Sequence, residues 1–164
     1  MIDSSIFLEK FLQNYRFRIA RPFLIGDVLD FGGNEGELEK LVKGKYLAVN
    51  YDHSVMDGVH FDTIASLAVI EHLEVGEVFD VFKKFKVILN KDGRIFLTTP
   101  TKMAKPILEF MALLGVVDKK NIEEHKHYWS EKDICELAKA TGFKVKRYRK
   151  FQFGVNQLAV FEHV

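Results

Sequence analysis

The sequence predicts an α/β fold: a doubly wound, mostly parallel sheet closed by a terminal antiparallel strand pair, with one β–α unit shortened or missing. Three observations carry this reading. Short apolar runs alternate with amphipathic stretches of helical spacing, the pattern of a sheet covered on both faces. A glycine-rich turn within Asp30–Gly36 ends the first run and opens the next amphipathic stretch. Residues 51–60 are all that separates the second strand from the third, fewer than the dozen or more that a parallel crossover usually takes.

Each element has its own signal. Leu8, Phe11, Leu12, Tyr15 and Ile19 recur at helical spacing behind Asp3 or Ser4 as cap, and Arg21-Pro22 ends that helix. Asp27 to Phe31 reads as the first strand. Leu38, Leu41 and Val42 place a short helix over Glu35–Lys43. Tyr46–Asn50 and Phe61–Ser66 are strand-like. Val75, Val78, Phe79, Phe82, Phe85, Ile88 and Leu89 mark a long amphipathic helix, stopped by a turn at Lys91-Asp92-Gly93. Ile95–Thr98 is a strand closed by Pro100. Ser130 and Asp133 form a capping box for a helix to Thr141, with Gly142 at its exit. Lys144–Phe151 and Leu158–Phe161 form the antiparallel pair.

Composition narrows the function classes. The 164 residues suit a single domain, 1–164, with an N-terminal helix in 1–22. Twenty-four Lys+Arg against 23 Asp+Glu leave +1, so no global field recruits nucleic acid or anionic membrane. The one cysteine, Cys135, excludes an internal disulfide or a multi-cysteine metal site, and its helical position reads as core. Glu9, Lys10, Arg16 and Arg18 interrupt the N-terminal apolar residues, against a signal peptide. The greasiest stretch, Pro106–Val117, is too short to span a bilayer and contains Glu109. The expected setting is cytoplasmic.

The glycine turn brings bare backbone amides and a helix start to a ligand. A dinucleotide fingerprint begun at Gly32 fails, because Asn34 and Glu37 stand where glycines are required. Asp30, Gly32 and Gly36 instead resemble the acidic-x-G-x-G-x-G motif of class I S-adenosylmethionine-dependent methyltransferases, with Asn34 in place of the middle glycine. Asn enters the left-handed region more readily than other non-glycine residues. Phe61 to Leu73, with its F-D-x-I start and V-I-E-H-L ending, resembles that family's fourth-strand segment. Gly93–Pro100 resembles its fifth strand. His125–Trp129, followed by Ser130–Phe143, is similar to the lid and final helix of the type 11, ubiquinone-biosynthesis-like branch. Phe153–Gln157 resembles the turn before the last strand.

The resemblance implies a Rossmann-like methyltransferase fold, S-adenosylmethionine as cofactor, and a small-molecule methyl acceptor. Carried over residue by residue, it implies cofactor contacts from Asp30, Gly32, Gly33, Asn34 and Gly36 at the methionine end. Asn50, Tyr51 and Asp52 would lie at the ribose, with Asn50 where the family usually has an acid, and Leu67 and Ala68 beside the transferred methyl. The shortened 51–60 connection removes most adenine-side groups, which Asp57 and His60 partly replace. Residues 101–129 correspond to the branch's substrate cover. There, Pro106–Val117 shapes either a lipophilic acceptor pocket or a homodimer contact. Gly32→Val is expected to block the cofactor while leaving the sheet folded.

Glu71, His72 and His125 are the catalytic candidates. Loops at the carboxyl ends of parallel strands form the ligand crevice, and a neutral imidazole suits proton removal from a hydroxyl acceptor. His125-Lys126 with Trp129 is also similar to metal-dependent small-RNA 3′-end methyltransferases, in whose pattern Glu71, His72 and His125 would be metal ligands. Ala68 stands where that pattern has a fourth, acidic ligand, so no metal is expected. Two other readings stay open. One is a degenerate, inactive binding module; the other is an RNA-modifying enzyme using the basic stretch Lys144–Lys150. For that stretch, a charge-protected edge strand is the favoured explanation.

Overall fold

The computed structural model describes residues 4–33, 38–50, 56, 58–113 and 125–164. Helix α1 (Ser4–Ala20) runs into a 3₁₀ turn over Arg21–Phe23, where Pro22 ends the α-helical path. Strand β1 (Val28–Phe31) follows, then β2 (Tyr46–Val49) and β3 (Phe61–Leu67). Helix α2 (Val75–Ile88) leads into β4 (Leu89–Pro100), and α3 (Ala104–Leu113) comes next. Helix α4 (Glu131–Thr141) and strands β5 (Phe143–Phe151) and β6 (Asn156–His163) complete the chain.

The described strands form one sheet of order β2-β1-β3-β4-β6-β5. β2, β1, β3 and β4 are parallel, and β6 runs antiparallel to both β4 and β5. This is the doubly wound architecture with an antiparallel end that the sequence predicts. Order reverses between β1 and β3, so their carboxyl ends define a switch point at which such sheets bind ligands.

Alternation along the strands fills both faces. Ile64, Ile95, Leu97, Ala159 and Phe161 turn to one face and pack with Phe82, Phe85, Ile134 and Leu137 of α2 and α4. Phe96, Leu158 and Val160 turn to the other and meet Ala20 and Ile19 of α1. All four residues of β1 are buried, as a central parallel strand requires.

The helix ends follow local chemistry. In α2, the Glu77 carboxylate accepts from the Glu74 backbone N–H at 2.7 Å, half of a capping box. In α4, Asp133 accepts from the Ser130 N–H at 2.7 Å and Ser130 Oγ accepts from the Asp133 N–H at 3.2 Å. Gly142 closes α4 in the left-handed conformation, φ +77°, which costs glycine nothing sterically.

Three expectations need correction. The helix over Glu35–Lys43 is, in its described part, a single 3₁₀ turn at Glu39–Leu41, and Val42 is already extended. The turn at Lys91-Asp92-Gly93 is absorbed into β4. Phe61 pairs with Leu89 and Thr63 with Arg94, so the surplus residues form an irregularity within the strand. Cys135 is exposed. The buried stripe of α4 is Ile134, Leu137, Ala138 and Thr141, an i, i+3, i+4, i+7 set that turns position 135 outward.

Candidate functional site

The carboxyl end of the sheet gathers the residues singled out by sequence. At the end of β1, Gly32 adopts φ +81°, and a Cβ there would lie 2.4 Å from Val69 Cγ2. A Cβ on Gly33 would lie 2.0 Å from Asp30 Oδ2. Both glycines are therefore required by close packing of this chain on itself. Gly32→Val would strain the fold directly, against the expectation that it spares the sheet. Asp30 is buried and accepts a 2.7 Å hydrogen bond from Tyr46 Oη. Burial pushes its carboxyl up to about 6, and the Tyr46 bond opposes that rise.

The remaining cofactor candidates are partly placed. Asn50 is exposed at the end of β2, and Leu67 is half-buried at the end of β3. Ala68 takes the left-handed φ of +58°, and its N–H donates to the Thr98 carbonyl at 2.9 Å. Such a φ is uncommon for a residue with a Cβ, and it turns the chain sharply where β3 leaves the sheet. Asn34, Gly36, Tyr51, Asp52 and Asp57 lie outside the described residues; His60 is exposed. A ligand's compact polar end would meet this turn through its backbone, since Val69 and Asp30 already fill the faces of Gly32 and Gly33. The buried hydroxyls Ser66 Oγ, at the end of β3, and Thr98 Oγ1, near the end of β4, have no hydrogen-bond partner among the described residues.

Glu71, His72 and His125 are brought together. The 3₁₀ turn Ile70–His72 after β3 presents Glu71 and His72. Its backbone also docks the 125–129 segment: the Glu71 carbonyl accepts from the N–H groups of Lys126 at 2.8 Å and His127 at 3.3 Å. Trp129, fully buried, donates Nε1–H to the Ile70 carbonyl at 3.4 Å. Gln157 of β6 donates Nε2–H to the Trp129 carbonyl at 2.7 Å and to that of Pro100 at 3.3 Å. A segment remote in sequence is thus tied to two strand ends through main-chain carbonyls.

Within this frame the His72 and His125 rings meet edge-on, centroids 4.8 Å apart. His125 Nδ1 lies 3.0 Å from Tyr128 Oη. Burial and the neighbouring His72 hold the His125 imidazole down at about 4, so it is neutral near pH 7. Glu71 is 1% exposed and accepts from Thr99 Oγ1 at 2.9 Å. Burial raises its carboxyl to about 7, against the opposing pull of that hydroxyl and of the Arg16 charge. One ligand atom from each of Glu71, His72 and His125 lies within 4.8 Å of the others. An N₂O donor set of this kind suits a divalent ion.

Sequence reasoning missed the supporting groups. Thr99, Tyr128 and Tyr46 each make one polar contact to a candidate residue, and Arg16 acts from α1, far from any motif. Only the polar Thr98-Thr99 pair ending an apolar strand offered a signal. Of the substrate-cover segment, α3 is described, with Met103 just before it, Ile107, Phe110 and Leu113 exposed. No helix among the described residues is long and apolar enough to cross a membrane.

Comparison with solved structures gives the same architecture. A methyltransferase from Bacteroides fragilis, solved as an S-adenosyl-L-homocysteine complex and described as SAM-dependent, aligns with a TM-score of 0.64 at 16% identity, over 91% of this chain and 77% of that one. CalO1, a methyltransferase in calicheamicin biosynthesis in its SAH-bound form, aligns at 0.69 and 12% identity, over 95% and 55%. The mitomycin 7-O-methyltransferase MmcR aligns at 0.66 and 13%, over 91% and 53%. The chain thus spans about half the length of the latter two. No curated protein matches it in sequence. A family model described as a methyltransferase domain matches residues 7–148. With most of the chain inside that match, and with the sheet order and glycine turn that go with it, this chain belongs to the methyltransferase-domain family.

Proposed function

We propose that this domain transfers a methyl group from S-adenosylmethionine to a small-molecule acceptor, with Glu71, His72 and His125 at the acceptor side. The observation that carries the reading is convergence. The Gly32–Gly33 turn, the left-handed Ala68 and the Glu71–His72–His125 cluster all sit at the carboxyl ends of β1 and β3 and on the segment docked against them. The family match and the SAH-bound relatives support the cofactor class. The type 11 branch rests on the His125–Trp129 and Gly142-Phe143 blocks.

When bound, the sulfonium supplies an electrophilic methyl for in-line displacement, so the protein's tasks are positioning and desolvation. Asp30, Gly32 and Gly33, continued by Asn34 and Gly36, would receive the amino-acid end, and Asn50, Tyr51 and Asp52 the ribose. Leu67 and Ala68 would flank the methyl. His125, held by Tyr128 and lowered to about 4, is neutral at pH 7 and would accept a hydrogen bond from an acceptor hydroxyl, orienting it, while its low basicity makes it a weak proton acceptor. His72 packs against it and lowers its basicity further. Glu71, closed off under Thr99, positions the turn and the Lys126–His127 backbone.

Titration calorimetry with S-adenosylhomocysteine tests the first half of the reading. Saturable binding supports it, and none at millimolar ligand would leave the inactive binding module. Turnover of His125→Ala and His72→Ala tests the second half. Loss of a general base costs about 10²–10⁴ in rate; loss of His125 as an orienting group should cost less, and full activity in both variants would remove them from the reaction. A second reading is favoured by the 4.8 Å cluster: Glu71, His72 and His125 hold a divalent ion that orients the acceptor. Elemental analysis, with activity measured with and without chelator, separates the two readings.

A further inference from the structure

Away from the carboxyl end of the sheet, a groove of about 210 Å³ runs between α1, the Arg21–Phe23 turn and strands β5 and β6. Ile19, Phe23, Phe151 and Leu158 give it an apolar floor, and Arg147 and Arg149 stand on its rim. A β-bulge aims those two arginines. Val145 pairs with Phe161, but Arg147 pairs with Val160, so Lys146 is an extra residue and the alternation of β5 is reset. Unreset, β5 would turn Arg147 and Arg149 toward the α2–α4 face and Tyr148 toward the groove. With the bulge, Val145 and Tyr148 pack on the main core. Arg147, Arg149 and Phe151 share the α1 face.

Lys146 is paired with Glu162 at 3.8 Å. Among the described residues, no carboxylate lies within ion-pair distance of Arg147 or Arg149, both exposed. Arg147 instead lies over the Phe23 ring, 5.7 Å from its centroid. An apolar trough bounded by two guanidiniums with no carboxylate partner among the described residues is complementary to an anion on an apolar body, because a planar fork of N–H donors matches a carboxylate.

We propose that this groove binds a small amphipathic carboxylate, an aromatic or short aliphatic acid whose body lies on the apolar floor and whose anion meets Arg147 and Arg149. The volume is below the roughly 300 Å³ at which drug-sized pockets begin, so the ligand is small. A single nucleic-acid strand fits less well. It needs free ring faces for stacking and a continuous cationic track. Here Phe23 is stacked on Phe96 at 4.9 Å and carries Arg147 over its ring, and Tyr15 is stacked on Phe151 at 5.8 Å. Lys146 is neutralised, and Lys150 alternates to the opposite face from Arg149 and Phe151. The groove is separate from the glycine turn, and the inference does not depend on methyl transfer.

The probe is 4-phenylbutyrate, compared with uncharged 4-phenylbutanol, titrated into the full chain and followed by amide NMR shifts and calorimetry. The acid should saturate, with shifts centred on Phe23, Arg147, Arg149 and Phe151. The alcohol should bind at least about tenfold more weakly. Arg147→Gln with Arg149→Gln, both at exposed positions, should weaken the acid by a similar factor without moving the melting temperature. Four results would overturn the proposal: no saturable shift at these amides, equal binding of acid and alcohol, acid binding unmoved by the double variant, or arginine-dependent shifts with an oligonucleotide but not with the acid.

Discussion

Replacing Glu71 by Gln isolates the cost of burying an ionisable carboxyl at the candidate site. Glu71 is almost fully buried, and burial raises it from 4.5 to about 7. Between those values the unfolded chain has released the proton while the folded chain retains it. The unfolded state then binds fewer protons, so stability falls as pH rises through this window and levels off above about 7. A shift of this size corresponds to about 3 kcal/mol. Gln is neutral at every pH and keeps a carbonyl oxygen for the Thr99 hydroxyl, so the variant lacks this loss. Urea unfolding from pH 4.5 to 8 should show near-equal stability at the acid end and a variant about 3 kcal/mol more stable at the alkaline end. His125, held down at about 4, contributes the opposite slope between about 4 and 6.5. Its shift comes from burial and His72, so both proteins share it and it drops out of the difference. Parallel stability curves across the whole range would refute the assignment of a protonated, buried Glu71.

Further outcomes follow from the same geometry. Gly32→Ala, at φ +81° and facing Val69, should cost about 1–3 kcal/mol. The added Val69→Ala change should recover the part due to the clash, as read by a double-mutant cycle. Ser130→Ala removes the cap of α4 and should lower stability by about 1 kcal/mol; an unchanged denaturation midpoint would show the cap to be redundant. Tyr46→Phe leaves buried Asp30 without its hydroxyl donor, at a cost of about 1–3 kcal/mol. Because that bond lowers the Asp30 carboxyl, its pKa should rise above about 6 in the variant, measurable by carboxyl ¹³C NMR.

Periodicity and turn chemistry, both local, determined most of this fold. The capping box at Ser130, the left-handed Gly142, the apolar stripe of α2 and the alternating strands are each readable within a dozen residues. Even the shortened 51–60 connection was visible as a count, and the sheet order β2-β1-β3-β4-β6-β5 accords with it. Long-range packing decided the remainder. Leu38, Leu41 and Val42 have helical spacing, yet the described path makes one 3₁₀ turn and Leu38 is buried against Val28 and Ala65. Which side of α4 faced the core, and so whether Cys135 was buried, depended on how α4 meets α2. The sequence by itself named Glu71, His72 and His125, but only the tertiary structure brought them together. The reason is physical: the contacts joining them are main-chain bonds from the Glu71 carbonyl to Lys126 and His127, closed by Gln157 on Trp129, and backbone groups carry no side-chain signature. The same holds for the groove beside α1. The charges of β5 stand plainly in the sequence, but the bulge at Lys146 that aims two of them arises only when β5 pairs with β6.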